Sequence, residues 1–321
     1  MLTTHHLAFT ATAITPLELE DQAGSSIRGA VVGGLWERFC ANQAAPTCAD
    51  CALLRVCPVA ALIAPMREDG EKGGQQRPRP YVVQPPQGAP RYAPAQSFDF
   101  GLALFGHPAQ LFPYVVMAAQ ALEQSGLGRR LPENGGRRGA LRIERIAAVD
   151  PLSGARQPLF ERGRSQVQAP GLPLDGPDVA AYAATLPGDR LTLHFRTPLR
   201  LIDDRQLVKR FAVRPFIQRL MRRLDDLCIA YGDGPLAIDF HALLDAAARV
   251  QVVDDRTRWV DVVSYSARSR QRTPIGGLVG RATLAGELGA LRELLVWGSL
   301  IHVGKNAVKG DGWYQIVGVG G

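Results

Sequence analysis

The sequence predicts an α+β protein of two tandem ferredoxin-like domains, each a β-α-β-β-α-β unit. Three observations carry the prediction. A chain of 321 residues is long for one core and suits two units of similar length. With 46% apolar and 21% charged residues, it can bury enough surface to offset chain entropy. Finally, strand-like and helix-like apolar patterns follow one another in both halves.

Residues 7–14 mix β-branched and aromatic side chains and stop at Thr15-Pro16, as a first strand would. Gly24-Ser25-Ser26 offers a helix start, after which Ile27, Val31, Leu35 and Phe39 recur at helical spacing. Residues 40–96 read as an insertion: a cysteine cluster, then an irregular loop over 68–80 rich in Pro, Gly, Gln and Arg. A strand pattern returns over 97–106, and Leu111, Val115, Ala118 and Leu122 mark a helix closed by Gly126 and Gly128. Leu141 and Ile143 alternate with charged neighbours as a half-buried strand over 140–149. The first domain is therefore placed at 1–155, and the weakly periodic, Gly- and Pro-containing residues 156–187 read as a linker.

The second domain, 188–321, repeats the order. It opens with a strand over 190–196 and a long helix over 214–231, whose Arg219, Arg222 and Arg223 read as a solvated face opposite Phe216, Leu220 and Leu224. A glycine-bearing strand over 276–286, a helix over 287–297 and a closing strand over 312–317 complete it, with a glycine and lysine loop before the last.

The chain carries 37 Lys+Arg against 30 Asp+Glu, a net +7 with a pI near 9.4, which favours polyanionic partners. Lys72, Lys209, Lys305 and Lys309 are its lysines, so guanidinium forks dominate; they suit phosphate and base stacking, although a GC-rich genome produces the same bias. No basic stretch leads into an apolar run and no 18 apolar residues are consecutive, so a cytoplasmic protein with no membrane partner is expected. There Cys40, Cys48, Cys51, Cys57 and Cys228 stay reduced. The first four include one C-x-x-C pair and supply enough thiolates for a structural zinc or an iron–sulfur centre; buried free cysteines are the equal alternative.

Three C-terminal stretches resemble the closing signature of the CRISPR-associated endoribonucleases of the RAMP superfamily, which process repeat transcripts. They are Pro274-Ile275-Gly276-Gly277-Leu278-Val279-Gly280, Gly298-Ser299-Leu300-Ile301-His302-Val303-Gly304-Lys305-Asn306, and Gly310-Asp311-Gly312-Trp313-Tyr314. Ser26-Ile27-Arg28-Gly29-Ala30, Phe100-Gly101-Leu102 and Phe195-Arg196-Thr197-Pro198-Leu199 extend the likeness over most of the chain. The resemblance implies two RNA-recognition domains, CRISPR repeat RNA and guide RNA as partners, effector-complex subunits as further ones, and cleavage with no cofactor. The attacking group would be the RNA's own 2′-hydroxyl, leaving a 2′,3′-cyclic phosphate. A non-catalytic guide-RNA-binding subunit of the same superfamily is the second expectation, and a zinc-stabilised RNA-binding module unrelated to CRISPR the third.

Glycine lets backbone approach phosphate closely, so Gly304, Gly310 and Gly312, with Lys305 and Lys309, are candidate RNA contacts; a plain turn before an edge strand has the same spacing. Arg28, Arg268 and Arg270 join them, the last two in a run of six arginines and one acid from 256 to 281. His302, Lys305 and Tyr265 are the catalytic candidates, because 2′-hydroxyl attack needs proton transfer and charge stabilisation. Several family members place a catalytic histidine in or after the first helix, and residues 25–57 contain none; His5 and His6 are the nearest substitutes, while His194 and His241 read as buried and His107 as a helix start. Other members work without histidine, in which case Lys305, Arg270 and Tyr265 carry the chemistry.

Overall fold

The computed structural model describes residues 2–19, 23–67, 76–164, 166–266 and 271–317, with 265 and 266 described in backbone alone. The chain forms two compact units, one of residues 3–173 with 230–232, the other of 1–2, 174–229 and 233–321.

In the first unit, strand β1 (Thr4–Ala13) leads to helix α1 (Ala23–Phe39) and the short helix α2 (Pro58–Ile63). Strands β2 (Tyr81–Gln84) and β3 (Ser97–Phe105), helix α3 (Phe112–Ser125), and strands β4 (Leu141–Val149) and β5 (Arg156–Glu161) follow. The sheet order is β2-β3-β1-β4-β5 with every neighbour antiparallel, so its first four strands have the ferredoxin-like arrangement. Phe9 of β1 stacks on Phe100 of β3 at 4.8 Å, inside the layer that α1 and α3 cover. Those helices cross closely at Gly34, where a Cβ would stand 2.8 Å from Ala121 Cβ.

Two expectations for this half are corrected. The insertion does not run to residue 96: Tyr81, Val82 and Val83 are buried in β2, a core strand too short to show alternation in a Pro-rich context. Residues 156–187 are not a bare linker either, since β5 extends the first sheet and 176–185 form α4 (Gly176–Thr185) of the second unit. Helix α4 starts at a reciprocal Asp175–Asp178 capping box. The segment expected as an irregular loop includes residues 68–75, which lie outside the described residues.

The second unit continues with strand β6 (Arg190–Leu199), helices α5 (Val213–Tyr231) and α6 (Phe240–Ala248), and strands β7 (Gln251–Val260) and β8 (Gly277–Ala285). Helix α7 (Arg292–Ile301) and strand β9 (Tyr314–Val317) close it. Its antiparallel sheet, ordered β7-β8-β6-β9, is again ferredoxin-like. Phe195, Phe211, Phe216 and Tyr314 form one ring cluster with centroids 5.2–5.8 Å apart, pinning α5 to the sheet. The Tyr314 hydroxyl donates to the Leu295 carbonyl of α7, and only glycine at 298 leaves it room, since a Cβ there would sit 2.2 Å away.

The arginines of α5 do not form one solvated face. Arg222 is exposed, but Arg219 Nε donates to the Ile202 carbonyl at 2.9 Å, and Arg223 Nε donates to the carbonyls of Ile301 and His302 at 2.9 and 2.8 Å. Burial of the Arg223 guanidinium pushes its pKa down to about 10, with Asp226 opposing, yet the group stays charged at neutral pH and caps the last carbonyls of α7. No helix among the described residues is long and apolar enough to cross a membrane.

Candidate functional site

The turn from α7 to β9 is built from left-handed backbone: φ is +89° at Gly304, +63° at Asn306, +95° at Gly310 and +69° at Gly312. Five of the N–H groups of this segment, expected to face phosphate, bond within the chain. Val303 N donates to Gly312 O, Lys305 N to Arg200 O, Lys309 N to Asn306 O, Gly310 N to Ala307 O and Gly312 N to Pro198 O, at 2.7–3.1 Å. Thr197 staples the turn to β6, its hydroxyl donating to Gly310 O at 2.7 Å and accepting from Trp313 N at 2.9 Å. The glycines therefore serve the chain's own close packing, and what the turn presents outward is the exposed Lys305 side chain with the half-buried Lys309 behind it.

His302 does not reach solvent. It is 0% exposed, ends α7 at φ +61°, ψ 163°, and lies parallel to Trp313 with ring centroids 6.1 Å apart. That backbone region is nearly reserved for glycine and costs a histidine on the order of 1–3 kcal/mol, which the Arg223 bond to its carbonyl and the Trp313 contact offset. A general base must touch the proton it removes. The catalytic assignment is therefore corrected: His302 positions the turn. His302→Ala is expected to cost roughly 2–4 kcal/mol in urea unfolding through loss of buried contact, and a variant of unchanged stability would remove this role.

Around Lys305 the fold assembles groups that sequence reasoning passed over. Arg200, whose carbonyl holds Lys305 N, donates from Nη1 to Gly276 O at 2.9 Å and places its guanidinium carbon 5.9 Å from the Trp259 ring centre. Lys209 Nζ lies 5.9 Å from the same ring, and Trp259 Nε1 donates to Asp261 at 2.9 Å. The tryptophan ring is half-exposed, with both cations over it. The signal available in sequence was Trp259 within an arginine-rich strand. Beneath the turn, Asp311 is buried with Oδ2 unbonded; desolvation pushes its pKa up to about 8 against the opposing pull of Asn306, Lys309 and Arg200.

The open face of the second sheet adds a row in register: Arg256 of β7, Arg281 of β8, His194 of β6 and Gln315 of β9. Directly paired residues share a face, and Phe195 sends its ring to α5, so this row faces the other way. His194 is half-exposed and not buried as expected; desolvation first, then Arg196 and Arg281, lower its pKa. Arg196 Nη1 stands 3.5 Å from His194 Nδ1, at the outer limit of a hydrogen bond. His241 is likewise exposed, following Asp239 at the start of α6.

Tyr265 stands in the strand Val263–Ser266, paired with Arg272, and its side chain is not described; Arg268 and Arg270 lie outside the described residues. Arg28 belongs to the first unit, where its charge acts on Tyr81 and Arg79. His5 is half-buried, His6 is 3% exposed with its pKa pushed down to about 4, chiefly by burial, and His107 is exposed at the turn before α3. The zinc expectation does not fit the geometry, because no three His, Cys, Asp or Glu groups among the described residues stand close enough to hold a metal. Cys57 Sγ instead accepts from Ala60 N at the start of α2, and Cys51 Sγ accepts from Asn42 Nδ2 at 3.6 Å.

A sequence-family model described as CRISPR-associated endoribonuclease Cas6 matches residues 193–314, and an N-terminal domain family, AF_1859_N, matches 2–172. No curated protein matches the chain. Among solved structures, Thermus thermophilus Cas6 is 13% identical with a TM-score of 0.55, covering 99% of both chains. The product complex of that Cas6 gives 15% and 0.57 over 98% of this chain and 100% of the other. A partial Cas6-RT-Cas1–Cas2 complex gives 11% and 0.60 over 99% of this chain and 46% of its own. At these identities the structural likeness is one of fold.

Proposed function

Because the chain belongs to the CRISPR-associated Cas6 family, we propose that it binds CRISPR repeat RNA through its second unit and cuts it without a metal ion, the 2′-hydroxyl attacking the adjacent phosphate to leave a 2′,3′-cyclic phosphate and a 5′-hydroxyl. The observation that carries the reading is the grouping of exposed Lys305 with Arg200, Lys209 and Trp259 beside the turn. Lys305 and Arg200 supply fixed positive charge where negative charge grows on the phosphorane, the largest single contribution to many such rates. Trp259 holds a base, and the Arg256-Arg281-His194-Gln315 row takes the strand onward by charge and hydrogen bonding. Tyr265, a strand away from Arg272, is the remaining candidate for proton transfer.

A second reading, an RNA-holding subunit that does not cut, is favoured by one observation: His302, the histidine beside the turn, is fully buried. One assay separates the two. Incubated with repeat RNA and EDTA, the nuclease gives a single cut ending in a cyclic phosphate, abolished by a 2′-deoxy nucleotide at the cut site; the holder gives binding alone. If it cuts, Lys305→Ala is expected to lower the single-turnover rate at saturating protein by about 10²-fold. Cleavage unaffected by that variant would remove Lys305 from the chemistry.

A further inference from the structure

The connection from α3 to β4 in the first unit carries arginines that the function above leaves unassigned. It is a two-stranded hairpin, Leu127–Leu131 paired with Arg137–Gly139, closed by a single turn over Pro132–Asn134 and by Gly135 and Gly136. Backbone contact holds the hairpin to the body of the unit. A Cβ on Gly139 would stand 2.7 Å from Leu17 Cα, and one on Gly128 would stand 2.1 Å from the Glu18 carbonyl oxygen, so glycine at both positions lets the two segments touch. Asn134 Nδ2 donates to the Pro16 carbonyl at 2.8 Å, and Leu127 and Leu131 are buried. Successive residues of a strand face opposite ways, so with Gly139 turned to Leu17 its neighbour Arg138 is turned outward. Arg130 is the direct cross-strand partner of Arg138 and shares its face, and exposed Arg137 stands beside the turn.

Like charges directly opposite one another destabilise a strand pair, so Arg130 facing Arg138 is a cost to the chain alone. The bordering carboxylates are already engaged: Glu133 holds Arg91, and Glu18 holds Arg129 at 3.1 Å. The side chains of Arg130, Arg137 and Arg138 have no ion pair or hydrogen bond among the described residues. An anion running along the hairpin relieves the repulsion and takes charge-assisted bonds from the planar forks. The hairpin itself selects the kind of anion. It contains no aromatic residue, and unpaired nucleic-acid strands are held largely by stacking. It exposes no large apolar side chain, the anchor on which a protein partner depends. With one face packed on Leu17 it cannot enter a deep groove as a free ribbon, but it can lie along the shallow groove of an A-form helix, which is bound through phosphates and 2′-hydroxyls.

We propose that this hairpin docks the phosphate backbone of double-stranded RNA, with Arg130 and Arg138 on successive phosphates and Arg137 beside them. The proposal goes beyond the function above and does not depend on it, because such contacts are blind to base sequence. The probe is a blunt RNA duplex of about 20 base pairs, unrelated to any repeat, whose binding to the full chain is followed by fluorescence anisotropy from about 50 to 200 mM salt. Replacing Arg130, Arg137 and Arg138 together by alanine is expected to weaken binding by about tenfold or more and to reduce the slope of log affinity against log salt by about 3. Thermal melting of that variant should stay level or rise, since the substitution removes a like-charge pair. A control variant with alanine at Arg142, Arg164 and Arg249, each paired with a glutamate, has the same net charge and should bind as the parent does. Unchanged binding by the hairpin variant, or an equal loss in the control, would overturn the proposal. So would a parent that binds a DNA duplex or a single-stranded oligouridine as tightly, or one that releases the RNA to polyglutamate as readily as to unlabelled duplex.

Discussion

Gly312→Ala is expected to abolish RNA binding by dismantling the turn that carries Lys305. An added Cβ would stand 1.7 Å from the Val303 carbonyl oxygen, on a backbone at φ +69°. The left-handed conformation alone costs an alanine roughly 1–2 kcal/mol, and overpacking against backbone typically adds about 1–3 kcal/mol. The neighbouring atom cannot yield cheaply, because Val303 and Gly312 are tied by the bond from Val303 N to Gly312 O. The expected loss is therefore roughly 3 kcal/mol or more, read as a lower urea midpoint with the slope unchanged. Gly289→Ala is the control, since nothing stands within 4 Å of a Cβ there and its stability should stay within about 0.5 kcal/mol. Equal behaviour of the two variants would show that glycine at 312 is not required by the packing described.

The fold was largely legible because its main elements are long and periodic. Residues Ile27, Val31 and Leu35 recur about once per turn in α1, and Leu191, Leu193 and Phe195 alternate in β6, so helix and inner strand could be read locally. The misses were short or set in misleading contexts. Strand β2 has four residues among prolines, and β7 has no buried residue and a bulge between Val252 and Asp254, with Asp254, Asp255 and Arg256 inside it. The site was legible as a segment but not as a set of roles. Spacing located the Gly304–Gly312 turn, while burial, which no spacing encodes, decided that His302 faces inward and Lys305 outward. Arg200, Lys209 and Trp259 meet only through the pairing of β7 with β8 and the return of the chain after β6, a long-range arrangement absent from any local window.

The second large effect concerns acid and base. Asp311 is buried beneath the turn, and desolvation raises its pKa from an ordinary 3.8 to about 8. In the unfolded chain the group ionises near 3.8, so between the two values the native state binds the extra proton and stability falls as pH rises. Below 3.8 both states are protonated and the group is neutral in its effect; above 8 the full penalty applies. At ~1.36 kcal/mol per unit, the contribution of this one carboxyl between pH 4 and pH 7 is on the order of 4 kcal/mol as an upper limit. Asp311→Asn keeps the shape and the side-chain bonding to Asn306 while removing the ionisation. It is expected to stabilise the protein at pH 8 by several-fold more than at pH 4, flattening the fall in urea midpoint over that range. A carboxylate such as Asp150, where desolvation is outweighed by the bonds it accepts from Ser153 and Leu152 and the pKa is lowered, acts in the opposite sense and is unaffected by the change. If the variant and the parent lose stability in parallel from pH 4 to pH 8, the Asp311 carboxyl is ionised in the native state, and the Lys309 and Arg200 charges then prevail over its burial.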